Sequence, residues 1–270
     1  CAITVHEGRT VQWRSPESIL AEARQITNCP DFKGYIVDVG GPTANMYGFE
    51  CEKKIRQGTC RDRRCLYPQV CPSMKADHRP QVELLRNIRS IKGVKKVFVA
   101  SGIRYDLLLS DRKYGERYLQ EVVEHHVSGQ MKVAPEHTED GVLNRMGKSG
   151  AALLLQFKEL FDRMTRSAGK EQFLTYYLIA AHPGCTDDDM KKLKQFTSEK
   201  LKINPEQVQI FCPAPSTYSS LMYYTETDPF TGKPIFVEKD PQNKDRQKSI
   251  VVKKRVIAPF SDQTLQRRRP

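Results

Sequence analysis

Tyr35-Ile-Val-Asp-Val39 is a short apolar run that stops at Gly40-Gly41, and the same plan recurs four times along the chain. Lys96-Val-Phe-Val-Ala100 ends at Ser101-Gly102, and Gln130-Met-Lys-Val-Ala134 ends at Pro135. Leu174-Thr-Tyr-Tyr-Leu-Ile-Ala180 ends at His182-Pro183-Gly184, and Val208-Gln-Ile-Phe211 ends at Pro213. Runs this short and apolar, bounded by turn residues, read as strands of a sheet buried on both faces. Helical stretches lie between them. Ser15-Pro16-Glu17 combines an N-cap, a first-turn proline and an acidic first turn, and opens a helix to about Gln25. From Pro80 to Ile91, the residues Val82, Leu84, Leu85, Ile88 and Ile91 fall largely on one face. Segments 115–126, 151–164 and 187–201 read the same way, the last with Thr186 as its N-cap. Strand alternating with helix predicts an α/β fold with parallel strands and right-handed crossovers.

In such folds chemistry collects at the carboxyl ends of the strands. The first run ends in Asp38-Val-Gly-Gly-Pro42, where glycines without a Cβ let a ligand touch backbone; an ordinary tight turn has the same residues. Near the third run lie Lys132, Glu136 and His137, which suit a polar ligand or a solvated rim. The fourth gives His182-Pro183-Gly184-Cys185, and the fifth gives Phe211-Cys212-Pro213 followed by Tyr223-Tyr224, rings fit for stacking or for the core.

The chain has 270 residues and a net charge of +12, which favours an anionic partner such as nucleic acid. No apolar run approaches the ~20 residues of a membrane span. The eight cysteines are too few for a disulfide scaffold and unevenly placed, as expected of a cytoplasmic protein with a metal site. Cys51-x8-Cys60-x4-Cys65-x5-Cys71 lies in an insert spanning about 46–79. Four thiolates suit zinc or an auxiliary iron–sulfur centre, with His78 as a substitute ligand; reduced structural cysteines are the alternative. Lys53, Lys54, Arg56, Arg61, Arg63 and Arg64 would favour the thiolate form. Cys29, Cys185 and Cys212 read as ordinary buried or half-buried residues, and His125-His126 as a helix cap or surface pair. Residues 233–270 read as a basic extension, partly mobile for want of apolar residues.

Together and in order, Cys1-Ala-Ile-Thr-Val-His-Glu-Gly-Arg9, Val39–Tyr47, Ser128–Met146 and Gln209–Tyr224 resemble radical S-adenosylmethionine (radical SAM) enzymes, and more closely their YgiQ family. The resemblance implies a partial (β/α)6 TIM-like barrel over residues 1–232 that lacks its first strand. It makes Cys1 the third cysteine of a Cys-x3-Cys-x2-Cys loop, with the other two expected upstream, so that the chain would be a piece of a longer enzyme. The implied cofactors are a 4Fe-4S cluster and S-adenosylmethionine (SAM), with an electron donor as partner and an anionic or RNA substrate suggested by the basic insert and tail. By resemblance, Gly40, Gly41 and Pro42 contact the SAM amino group, although Pro42 stands where an acidic residue is usual. Ser128, Lys132 and Glu136 would approach its ribose and carboxylate. His182, Pro183 and Gly184 would lie near the adenine, and Phe211 and Cys212 at its edge. A reading from a different class is a nucleic-acid-binding module held by metal at Cys51–Cys71, without catalysis.

Overall fold

The computed structural model describes residues 3–41, 43–61 and 63–252; the expectations for Cys1, Pro42 and residues 253–270 lie outside them. A short helix α1 (Ile3–His6) leads to α2 (Pro16–Thr27), where the Ser15 hydroxyl accepts the Ser18 amide as the N-cap. Strand β1 (Tyr35–Ile36) follows, then α3 (Glu52–Gln57) inside the insert, α4 (Arg79–Arg89) and β2 (Lys96–Val97). Next come α5 (Tyr105–Ser110), α6 (Gly115–His125) and β3 (Gln130–Glu136), then α7 (Asp140–Met146), α8 (Ala151–Ser167) and β4 (Phe173–Ala180). The chain closes with α9 (Asp187–Phe196), β5 (Gln209–Ile210), α10 (Tyr218–Thr225) and α11 (Pro241–Val251). Thr186 and Asp189 form a capping box on α9, whose final turn widens to π geometry over Thr197–Leu201.

All strand pairs are parallel: β1 with β2, β3 with β4, and β4 with β5. A bridge between Ile103 and Val133 brings the chain after β2 against β3, so the five strands lie in chain order. The ladders are shorter than the apolar runs, but single bonds carry them onward, Val39 N–H to Phe98 O at 2.8 Å and Phe211 N–H to Ala180 O at 2.9 Å.

The structure corrects the expectation that both sheet faces are buried. Val97, Val99, Met131, Val133, Leu174, Leu178 and Ala180 lie on one face, under α4, α6, α8, α9 and α11. Their neighbours in the alternation face the other way and stay open: Tyr35, Lys132, Phe173 and Tyr177 are exposed, and Val37 is 73% exposed. Period-2 alternation on parallel strands means that helices cover one side only. A second correction concerns the tail. Helix α11 packs on α9, β4 and β5, burying Val251 and Gln247, and the Gln247 amide accepts the Ala181 N–H (3.1 Å) and donates to the Cys185 carbonyl (3.3 Å). Residues 241–251 are therefore integral to the core.

Candidate active site

The carboxyl end of β1 is tied to the loop after β2. The Asp38 carboxylate accepts the amides of Ala100 (2.8 Å) and Ser101 (3.3 Å) and the Ser101 hydroxyl. This clamp explains Gly40, where an added Cβ would stand 2.7 Å from Ser101 Oγ. It does not explain Gly41, where an added Cβ would meet nothing within 4 Å and the backbone is not left-handed. Of the two glycines, Gly41 alone leaves open space beside backbone for a ligand.

At the end of β3, Glu136 holds φ at 68°, a left-handed conformation that costs a non-glycine residue roughly 1–2 kcal/mol. One carboxylate oxygen pairs with Lys148 Nζ at 3.2 Å, and the other is buried with no hydrogen-bond partner among the described residues. Lys148 also donates to the Ala134 carbonyl. Burial pushes the Glu136 carboxyl up and the Lys148 ammonium down, and each charge partly offsets the shift of the other. Strain and an unspent acceptor in one residue are the features expected of a binding group. Lys132 stands earlier on the open face of the same strand, and Tyr177 is close enough to Glu136 for that charge to help raise its phenol, after burial. Ser128 precedes the first residue of β3 and is exposed at the amino end, so the strand separates it from Glu136.

The ends of β4 and β5 come together. His182 is buried, its ring edge-on to Phe211 with centroids 5.1 Å apart, and Phe211 in turn packs on Tyr223 at 5.9 Å. His182 Nδ1 lies 3.0 Å from the Pro183 carbonyl and can only donate there, so Nε2 accepts the Ser219 hydroxyl at 2.8 Å. Burial pushes the His182 imidazole down to about 4. Gly184 has φ 83° and lies against the end of the Arg145 side chain, where a Cβ would strike Cδ at 2.6 Å and the guanidinium at 2.7–2.8 Å. Cys212 and Tyr224 are exposed. Beneath this end, His137 accepts the Glu139 amide at Nδ1 (3.0 Å) and turns Nε2 to the Cys185 sulfur at 3.6 Å. Burial takes His137 down to about 4 and the Cys185 thiol up to about 12, so both are neutral packing groups.

The four insert cysteines are free thiols, with Cys51 and Cys71 buried, Cys60 half-buried and Cys65 exposed. They occupy one neighbourhood: burial raises the Cys65 thiol first, and Cys71, Cys51 and Cys60 add to the rise. The Cys71 amide donates to the Cys65 carbonyl at 2.7 Å. Among the described residues, no three His, Cys, Asp or Glu side chains stand in metal-holding geometry. His78 is not available as a substitute ligand. Fully buried, it lies 2.9 Å from Asp111 Oδ2 through Nδ1 and 3.1 Å from Asn45 Nδ2 through Nε2, and it ties the end of the insert to the α5–α6 turn. Two further expectations are settled: Cys29 and Cys212 are exposed rather than buried, and His126 caps the end of α6 as one reading had it, but it is fully buried rather than at the surface, bonded to Val97 O at 2.8 Å and paired with Glu121. The sequence reading passed over Arg145, Lys148 and Asn45, whose partners come from distant segments.

No family model matches the chain. It is similar to curated proteins named UPF0313 protein. The one from Fusobacterium nucleatum is 58% identical over 94% of this chain and 45% of its own length. Those of Methanosarcina acetivorans and Clostridium perfringens are 46% and 44% identical over 93% of this chain, and 33% and 38% of theirs. The chain thus spans less than half the length of these relatives. No helix among the described residues is long and apolar enough to cross a membrane.

Proposed function

We propose that this chain supplies most of the SAM-binding surface of a radical SAM enzyme built as a partial (β/α)6 barrel. Five parallel strands in chain order, with helices on one face and the other open, are what a sector of such a barrel would present. The single observation that carries the reading is Glu136, a strained carboxylate on the edge of the open face with one buried oxygen that no described residue engages. The residues at hand fit SAM. Glu136 would accept ribose hydroxyls, Gly41 would admit the amino group against backbone, and His182 with Phe211 would wall the adenine. Lys132 would meet the carboxylate. The cluster would take Cys1 as one ligand and, with SAM bound, supply a 5′-deoxyadenosyl radical for hydrogen abstraction. The chain's own task would be to orient SAM and keep water from the open face. SAM binding by the cluster-loaded full-length protein tests this: Glu136→Gln should weaken it by about tenfold or more, as loss of a charged hydrogen-bond acceptor does. Unchanged binding would remove Glu136 from the site.

The Cys51, Cys60, Cys65 and Cys71 thiols are proposed to hold a second metal, either zinc or an iron–sulfur centre. Their shared neighbourhood supports this, and the ligand set would close as metal binds. Anaerobically prepared protein should carry metal that a four-serine variant lacks; metal-free protein would overturn it.

A further inference from the structure

A cleft of about 1030 Å³ opens between the cysteine insert, α7 and the turn after α10. Lys53, Arg63, Arg64 and Arg145 line it with the Cys60 and Cys71 thiols and, among the described residues, one carboxylate, Asp228, which is engaged by the Phe230 amide at 2.9 Å. Among the described residues, none of the four cations has a carboxylate within ion-pair distance. Like charges gathered in one cavity repel, and thiolates at Cys60 and Cys71 would offset only part of four positive charges, so the arrangement favours a further anion.

Arg64 shows how the anion would be met. Its guanidinium lies 4.1 Å from the ring centre of Phe230, 5.2 Å from Tyr67 and 5.4 Å from Tyr218. Aromatic faces fix the plane of a guanidinium and leave its N–H edge free to donate. The rings are thus spent on holding Arg64, not on stacking a base. Arg145 adds a buried Nε–H that has no partner among the described residues. It also rests on Gly184, so the cleft adjoins the β4 end through one side chain.

We infer that this cleft binds a small molecule bearing phosphate groups. A lone carboxylate would leave most of the positive charge unmet, whereas a phosphate monoester brings about −1.5 to −2 and three strong acceptors. The cations enclose one cavity rather than run along a stripe, which favours a small ligand over a polynucleotide. That the ligand is the substrate rests on the radical SAM reading; that an anion binds does not.

Isothermal titration of this chain with inorganic pyrophosphate at physiological salt needs neither cluster nor SAM, so its outcome is separate from any SAM experiment. One saturable site is expected, weakened about tenfold or more by Arg64→Ala. Lys53 and Arg63 are exposed, so K53A/R63A should keep the wild-type melting temperature and lose affinity likewise. K191A/K194A, in the cavity of about 530 Å³ bordered by α9 and α11, should bind as wild type. Absence of saturation, equal loss in K191A/K194A, or binding of a short single-stranded RNA with no binding of pyrophosphate would each overturn the inference.

Discussion

Replacing the two adjacent glycines one at a time separates packing from ligand binding. In Gly40→Ala the new Cβ would stand 2.7 Å from Ser101 Oγ, 2.9 Å from Ser101 Cβ and 3.0 Å from Asp38 Oδ1. The clamp from Asp38 to Ala100 and Ser101 must then shift, and overpacking with weakened hydrogen bonds costs about 2–3 kcal/mol. At about 2–4 °C per kcal/mol for a chain of this size, the melting temperature should fall by about 5–10 °C. Gly41→Ala meets nothing within 4 Å and needs no left-handed backbone. Its effect works through the unfolded chain, and stability should hold or rise by about 0.4–1 kcal/mol. SAM binding by the cluster-loaded full-length protein should nevertheless drop about tenfold or more in Gly41→Ala, because the methyl fills the space left for the ligand. Thermal melts of both variants, with dialysis against labelled SAM, make the comparison. A Gly41→Ala protein that melts as early as Gly40→Ala, or that binds SAM like the wild type, would refute the reasoning.

Other consequences are equally direct. His137 and His182 have imidazoles held at about 4, below the ordinary value near 6.5, so the unfolded chain takes up protons first as pH falls. Their contribution is complete above pH 6.5 and declines toward pH 4, about 2 kcal/mol for each ring by pH 5; a urea midpoint that does not fall over this window would contradict it. For Asp111, burial raises the carboxyl, but hydrogen bonds from the His78 ring and from the Tyr114 and His78 amides outweigh burial and hold it at about 2. That stabilisation is present above pH 4 and lost as pH falls through 2, so wild type should lose about 1–2 kcal/mol more than Asp111→Asn across this range in acid titrations of stability. Gly184→Ala should lower stability by about 2–3 kcal/mol, from strain at φ 83° and collision with Arg145, and should weaken pyrophosphate binding; a wild-type melt would contradict it.

Much of the fold was legible because its signals are local. Ser15-Pro16-Glu17 and Thr186 marked helix starts by cap chemistry, and the five apolar runs all contain strands. The open sheet face was not legible, because Tyr35, Val37, Phe173 and Tyr177 are as apolar as core residues and only their lack of a covering helix distinguishes them. The tail misled for the opposite reason. Helix α11 is polar along most of its length, and it docks through Gln247 and Val251, too few residues to form a pattern. In the candidate site, Glu136 was readable as a carboxylate near a strand end. Its partner Lys148 was not, because the turn of α7 brings it back from twelve positions on. His78 stood beside the cysteines in sequence and looked like a ligand, yet Asn45 and Asp111 claim both ring nitrogens. Ser128 fell on the wrong side because β3 begins two residues later, at Gln130.

The central claim is tested most directly by incubating the full-length, cluster-loaded protein with SAM and a strong reductant and measuring 5′-deoxyadenosine. The account predicts its formation, and its loss together with the cluster's visible absorbance in Cys1→Ala. Cluster-loaded protein that leaves SAM intact, or Cys1→Ala that cleaves it as wild type does, would contradict the account.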